Sequence, residues 1–167
     1  MKRNILKGII GVFAILTLTG CGERKVDLTS SIKLEEGAFS IVCSGEDGDG
    51  TGVKTENTST YNFNDDQYLI NYSVATKQTF TDKETYNTYK TAQEETVKGS
   101  TDTILYELLS DDKSKTLLFT MAITDIDLSE ITTEEEKDYY KASTVLERAD
   151  TDIATCKVNG IDKNNLK

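Results

Sequence analysis

The chain of 167 residues contains no histidine, no tryptophan and no proline, and only three cysteines. Without histidine it lacks the commonest general base and the commonest zinc and copper ligand. It has no hydrophobic run of spanning length either. A transmembrane helix needs about 20 consecutive apolar residues, and the apolar stretch at the start, Ile9 to Leu18, is only ten long. Positive charge is scarce, with 19 Lys and Arg against 29 Asp and Glu. A chain of that sign does not suit nucleic acid or anionic lipid headgroups as partners. The same acidity describes a solvated, self-repelling surface, and no cofactor-binding motif stands out.

What is present begins with the first twenty-one residues. Lys2, Arg3 and Lys7 precede the apolar stretch, and Leu18-Thr19-Gly20-Cys21 ends it with small residues and a cysteine. A basic start, a short apolar core and a small-residue cleavage site make a secretory signal. Leu-Thr-Gly-Cys resembles the lipobox of bacterial lipoproteins. The resemblance implies that Cys21 receives a diacylglyceryl group on its sulfur, that cleavage makes it the first mature residue, and that a palmitate-type acyl chain is added. Two or more acyl chains anchor stably where one binds only marginally. The expectation is a signal peptide over 1–20, a lipidated tether over 21–36 and one domain over 37–167. The protein is then attached to the extracytoplasmic face of the cell membrane through its lipid. Extended, the fifteen residues after Cys21 reach about 50 Å. Removing the first twenty residues leaves 147 with 16 basic and 29 acidic side chains, a net charge of −13. That length suits one domain with its own core.

With Cys21 committed to lipid, Cys43 and Cys156 remain. An even pair in an exported domain points to a disulfide. Closing so large a loop stabilises by about 4 to 5 kcal/mol in the chain-entropy picture. Two buried free thiols and a redox or metal pair are the alternatives, although two distant cysteines without histidine do not make a recognisable zinc site.

Along the domain, Phe39, Ile41 and Cys43 alternate with polar neighbours as a half-buried strand does. Gly45 to Gly52 is rich in glycine and acid. Counted as an EF-hand loop from Asp47 it fails at the twelfth position, where Thr58 stands in place of a bidentate glutamate, so a hairpin loop is expected. Thr55 to Phe63 forms the next strand, Asn64-Asp65-Asp66-Gln67 the turn, and Tyr68 to Phe80 a third strand. In that third strand Tyr68, Ile70, Tyr72, Val74, Thr76, Gln78 and Phe80 share a face. Thr81-Asp82-Lys83-Glu84 has capping-box spacing and predicts a helix from there to Gly99, lying on the sheet surface. Thr103 to Leu109 and Lys115 to Ile126 bracket another hairpin loop. The second of these strands is apolar on both faces, which implies a central strand with one side covered by helix. Thr133-Glu134-Glu135-Glu136 opens a second helical region with its acids at the positive helix end, broken near Ser143 and Thr144. Ile153 to Val158 closes the domain. The fold class is α+β, an antiparallel meander sheet with two helical segments packed on one face.

A lipobox, a strand with one cysteine, a three-stranded meander, a tyrosine-rich helix, a hairpin, a second helix and the late Cys156-Lys157 pair together resemble the small YehR-like bacterial lipoproteins. That resemblance implies an α+β domain at the cell surface and carries over no activity and no site residues. The function expected is non-enzymatic: binding or support of an envelope partner by a monomeric anchored domain. One alternative is an exported hydrolase using Ser with Lys, or carboxylates such as Asp65-Asp66 or Glu94-Glu95. Adjacent carboxylates point apart, whereas glycosidase pairs converge to about 5 to 9.5 Å. The other alternative is a small ligand held in a groove between helix and sheet. The chain is short for a two-lobed solute clamp.

Overall fold

A computed structural model gives the structure of the protein and describes residues 37–48, 52–151 and 153–166. Signal, Cys21, tether and the Asp49 to Thr51 part of the glycine-acid loop lie outside the described residues. Six strands form one antiparallel sheet: β1 (Phe39–Gly48), β2 (Val53–Phe63), β3 (Leu69–Phe80), β4 (Ile104–Asp111), β5 (Thr116–Ile123) and β6 (Ala154–Asn159), in the order β4-β5-β3-β2-β1-β6. Among the described residues three α-helices, α1 (Lys83–Val97), α2 (Glu134–Asp138) and α3 (Ala142–Ala149), and a short 3-10 turn at Lys163–Asn165 complete it. The architecture is the expected α+β class. The first three strands are a meander, and the two helix-bearing connections, β3 to β4 and β5 to β6, each carry the chain to an outer edge.

Period-two alternation places the β1–β2–β3 aromatic and aliphatic side chains on the face that the helices cover, while β5 is apolar on both faces, its fully buried Ala122 lying on the other. Phe39, Ile41 and Cys43 of β1 pair with Phe63, Tyr61 and Ser59 of β2. Tyr61 in turn faces Tyr72, and Tyr72 faces Ile123. One irregularity keeps this face continuous. Phe63 pairs with Leu69 and the adjacent Asn62 with Asn71, so Ile70 is an extra residue opposite them. This bulge corrects the expected alternation. Leu69, not Tyr68 or Ile70, enters the core, at 8% exposure, while Tyr68 is left to bridge Lys141.

On that face sit two separate buried clusters. The larger joins Phe39, Ile41, Cys43, Phe63 and Leu69 to Ala142, Val145 and Leu146 of α3. The helix contributes positions i, i+3 and i+4, the spacing that puts them on one stripe. Its first amide is satisfied from outside: Ala142 N donates to Gln67 O at 3.0 Å. The smaller cluster is Phe80, Tyr86 of α1 and Leu117, with Val53 and Leu108 packed against it. By strand register the two clusters occupy the same face, consistent with helices on one side.

Several local expectations shift. β1 runs on to Gly48, so the glycine-acid segment is strand for half its length. A Cβ at Gly45 would collide with the Ile153 carbonyl oxygen, which is why glycine stands where the chain enters β6. The N-cap of α1 is Asp82 rather than Thr81, its carboxylate accepting from Thr85 N at 2.8 Å. Carboxylates are at least as good N-caps as threonine. The second helical region breaks at Tyr139 to Lys141, earlier than Ser143, because Lys141 is held to Tyr68 there. Thr133 caps α2 as its spacing predicts, accepting from Glu136 N and donating to the Glu136 carboxylate at 2.8 Å.

Both sheet edges are engaged by the chain itself. At β4 the Ser100 hydroxyl accepts from Tyr106 N at 3.0 Å, and Thr101 exchanges hydrogen bonds with Ile104. At β6 Asp150 accepts from Cys156 N at 3.2 Å, and Thr151 bridges Ala154. Such contacts occupy edge groups that would otherwise be open to another strand.

Candidate functional site

Cys43 and Cys156 are register partners on β1 and β6 and are joined by a disulfide with an S–S distance of 2.02 Å across 113 positions. Cys43 is 5% exposed, beneath α3. The bond ties the outermost strand of this edge to the first strand of the meander. Its place in the core is structural.

Asp65 and Asp66 are exposed in the β2–β3 turn, and Glu94 and Glu95 are exposed on α1. Among the described residues no group of three His, Cys, Asp or Glu is placed to hold a metal ion. Likewise, no described helix is long and apolar enough to cross a membrane.

Polar groups converge instead between α1 and the β4–β5 hairpin. Tyr86 and Lys90 are four apart and share one side of the helix. The Tyr86 hydroxyl donates to Asp112 at 2.6 Å, and Lys90 Nζ donates to the same oxygen at 2.9 Å. These two bonds, the tyrosine's first, hold the Asp112 carboxyl below its ordinary range, and the bond to Asp112 pushes Lys90 up. Burial, followed by the bond to Asp112, raises the Tyr86 phenol. Beside them lies a shallow depression lined by Lys90, Glu94, Val97, Leu108 and Ser110. It places a serine and a lysine together, which is the Ser with Lys arrangement weighed above. A lysine base works through a depressed pKa, whereas Lys90 is raised by its bond to Asp112. Nearby, Gln93 Nε2 donates to Gln78 Oε1 at 3.0 Å, while the buried Gln93 Oε1 has no partner among the described residues.

The more extensive feature is the stretch of sheet between the two clusters. The register aligns Val74, Met121 and Tyr106 in one row, Phe119 in the next, and Ile123 and Ile104 in the row on the other side. All six are half-buried, and none belongs to either buried cluster among the described residues. Tyr106 stacks on Phe119 with centroids 5.9 Å apart, and at the border Tyr61 lies against Tyr72 at 4.9 Å. An aromatic and aliphatic floor flanked by two helices is the form that ligand and partner sites commonly take. Sequence reading finds the individual strands but not this floor, which exists only once β5 is placed between β3 and β4.

No protein-family model, curated protein or solved structure matches the chain.

Proposed function

We propose that the protein is a lipoprotein anchored through Cys21 at the extracytoplasmic face of the membrane, and that its domain binds an envelope partner without catalysing a reaction. The reading as a lipoprotein rests on the Lys2 to Cys21 sequence, and the layout similar to YehR-like lipoproteins agrees with it. The binding role is carried by the half-buried floor of Val74, Ile104, Tyr106, Phe119, Met121 and Ile123 between the helices. Each of the six keeps part of its surface open and they adjoin one another by register, and contiguous apolar surface is where partner sites occur.

Two measurements test the two halves. Incorporation of labelled palmitate should be abolished in Cys21→Ala, and globomycin should leave an unprocessed precursor. Normal processing in that variant would remove the anchor. Crosslinking from a photoreactive residue at position 121 in cells should capture a partner that a lipidated control protein does not. Recovery equal to the control would remove the binding role.

A further inference from the structure

The chemistry of the partner can be narrowed from the charge around the floor, an inference that rests on the binding role above. Ile104 and Ile123 are register partners at one end of it. Asp102 lies two residues before Ile104 and Asp125 two residues after Ile123, and the segments are joined there by Thr124 N donating to Thr103 O at 2.9 Å. Asp127 and Glu130 follow along the same connection. All four carboxylates are exposed, and none takes part in an ion pair among the described residues. The strands and the connection that carry this end supply no cation of their own, since residues 99–112 and 116–136 contain neither lysine nor arginine. Of the cations that flank these spans, Lys98 is engaged by Glu95 and Lys137 by Glu134.

An apolar floor ending in unneutralised carboxylates repels an acidic partner and gains little from a neutral one. We propose that the floor binds a cationic peptide segment, with apolar side chains on the aromatic and aliphatic rows and Lys or Arg over Asp102, Asp125, Asp127 and Glu130. Complementary charge of this kind governs encounter and partner choice more than the total contact area does. The tyrosine rings suit the same partner, because aromatic faces attract ammonium and guanidinium groups.

The chain offers a site-specific probe, since its only methionines are Met1 and Met121. The full chain, labelled with methyl-13C methionine and held in phosphatidylcholine nanodiscs, is titrated with three synthetic peptides. One alternates Lys with Leu and Phe; the other two replace Lys by Ser or by Glu. The lysine peptide should shift the Met121 methyl resonance, the serine peptide should bind about tenfold more weakly, and the glutamate peptide should leave the resonance unmoved. Raising salt to about 0.5 M should weaken the lysine peptide, because the screening length falls below 5 Å. Asp125→Asn with Asp127→Asn should cost about fivefold in affinity while the free Met121 resonance stays in place, as exposed pairs contribute modestly. Equal binding of the serine and lysine peptides would overturn the cationic partner. A Met121 methyl unmoved by all three would overturn the site. In either case, a partner crosslinked in cells would leave the broader binding role standing.

Discussion

At the β1 end of the sheet α3 buries three of its eight residues, Ala142, Val145 and Leu146, whereas at the β4 end the fifteen residues of α1 bury one, Tyr86. The first end is held by apolar burial around Ile41 and Phe63, both fully inaccessible, and is closed by the Cys43–Cys156 bond. The second is held by the buried Tyr86 and the more exposed Tyr89 against Phe80 and by polar contacts: Tyr86 and Lys90 on Asp112, and Gln93 on Gln78. Apolar burial is largely insensitive to salt and protonation, while exposed ion pairs respond to both. The same sheet face therefore carries one permanent wall and one conditional wall, with the candidate binding floor between them. Partner sites gain from such a pairing, because the less stable element can adjust at small cost.

The contrast breaks most readily at the stable end. Replacing Cys43 and Cys156 together by Ala should lower unfolding free energy by about 2 to 5 kcal/mol, measured by urea denaturation, since a very long loop is released in the unfolded chain. Ile41→Ala should cost about 2 to 4 kcal/mol by the same measurement, from lost burial plus the cavity left under α3. At the other end Tyr86→Phe keeps the ring against Phe80 and removes only the hydroxyl that donates to Asp112. Its cost should be about 1 kcal/mol, and hydrogen exchange should show the loss in α1 and not in α3. A Tyr86→Phe effect as large as that of Ile41→Ala would mean that the two walls are equally cooperative.

What the sequence shows of this fold follows from the range of each interaction. Alternation revealed the strands around Ile41, Tyr61 and Val74, and the count of cysteines pointed to the Cys43–Cys156 pair, because both signals are local or arithmetical. The bulge at Ile70 was hidden, since its cause is the need to face both Leu69 and Tyr72 toward one core, and Asn71 reads equally well either way. Lys141 ends the first short helix through its bridge to Tyr68, a contact across more than seventy positions that no local propensity contains. Thr81 and Asp82 are both plausible caps by type, and the carboxylate wins through its bond to Thr85. The floor was invisible for a topological reason. Val74, Met121 and Tyr106 become neighbours only because the chain crosses by way of α1 to β4 and returns as β5 beside β3.

The smallest expected effect is the most selective for the comparison, because it is a response to pH. Asp112 is held below its ordinary value first by the Tyr86 hydroxyl and then by Lys90, and Asp82 is held below its own first by the Thr85 amide. A group whose folded pKa is depressed contributes stability that is present above its unfolded pKa and disappears as pH falls through the folded one. Lys90 is raised by Asp112, so its contribution has the opposite boundary: it is present below the ordinary lysine range and disappears as pH rises through the elevated pKa. The polar hold on α1 is thus complete across the neutral range and weakens first on acidification, when Asp82 and Asp112 protonate below an ordinary aspartate value of 3.8. By contrast, α3 has no side-chain cap to titrate and rests on Ala142, Val145 and Leu146. Acid titration followed by amide exchange should therefore show α1 losing protection before α3, and Asp112→Asn should make the α1 response shallower without moving that of α3. Loss of α3 protection at the higher pH of the two would reverse the assignment of the permanent and conditional walls, because the apolar wall would then depend on a charge and the polar one would not.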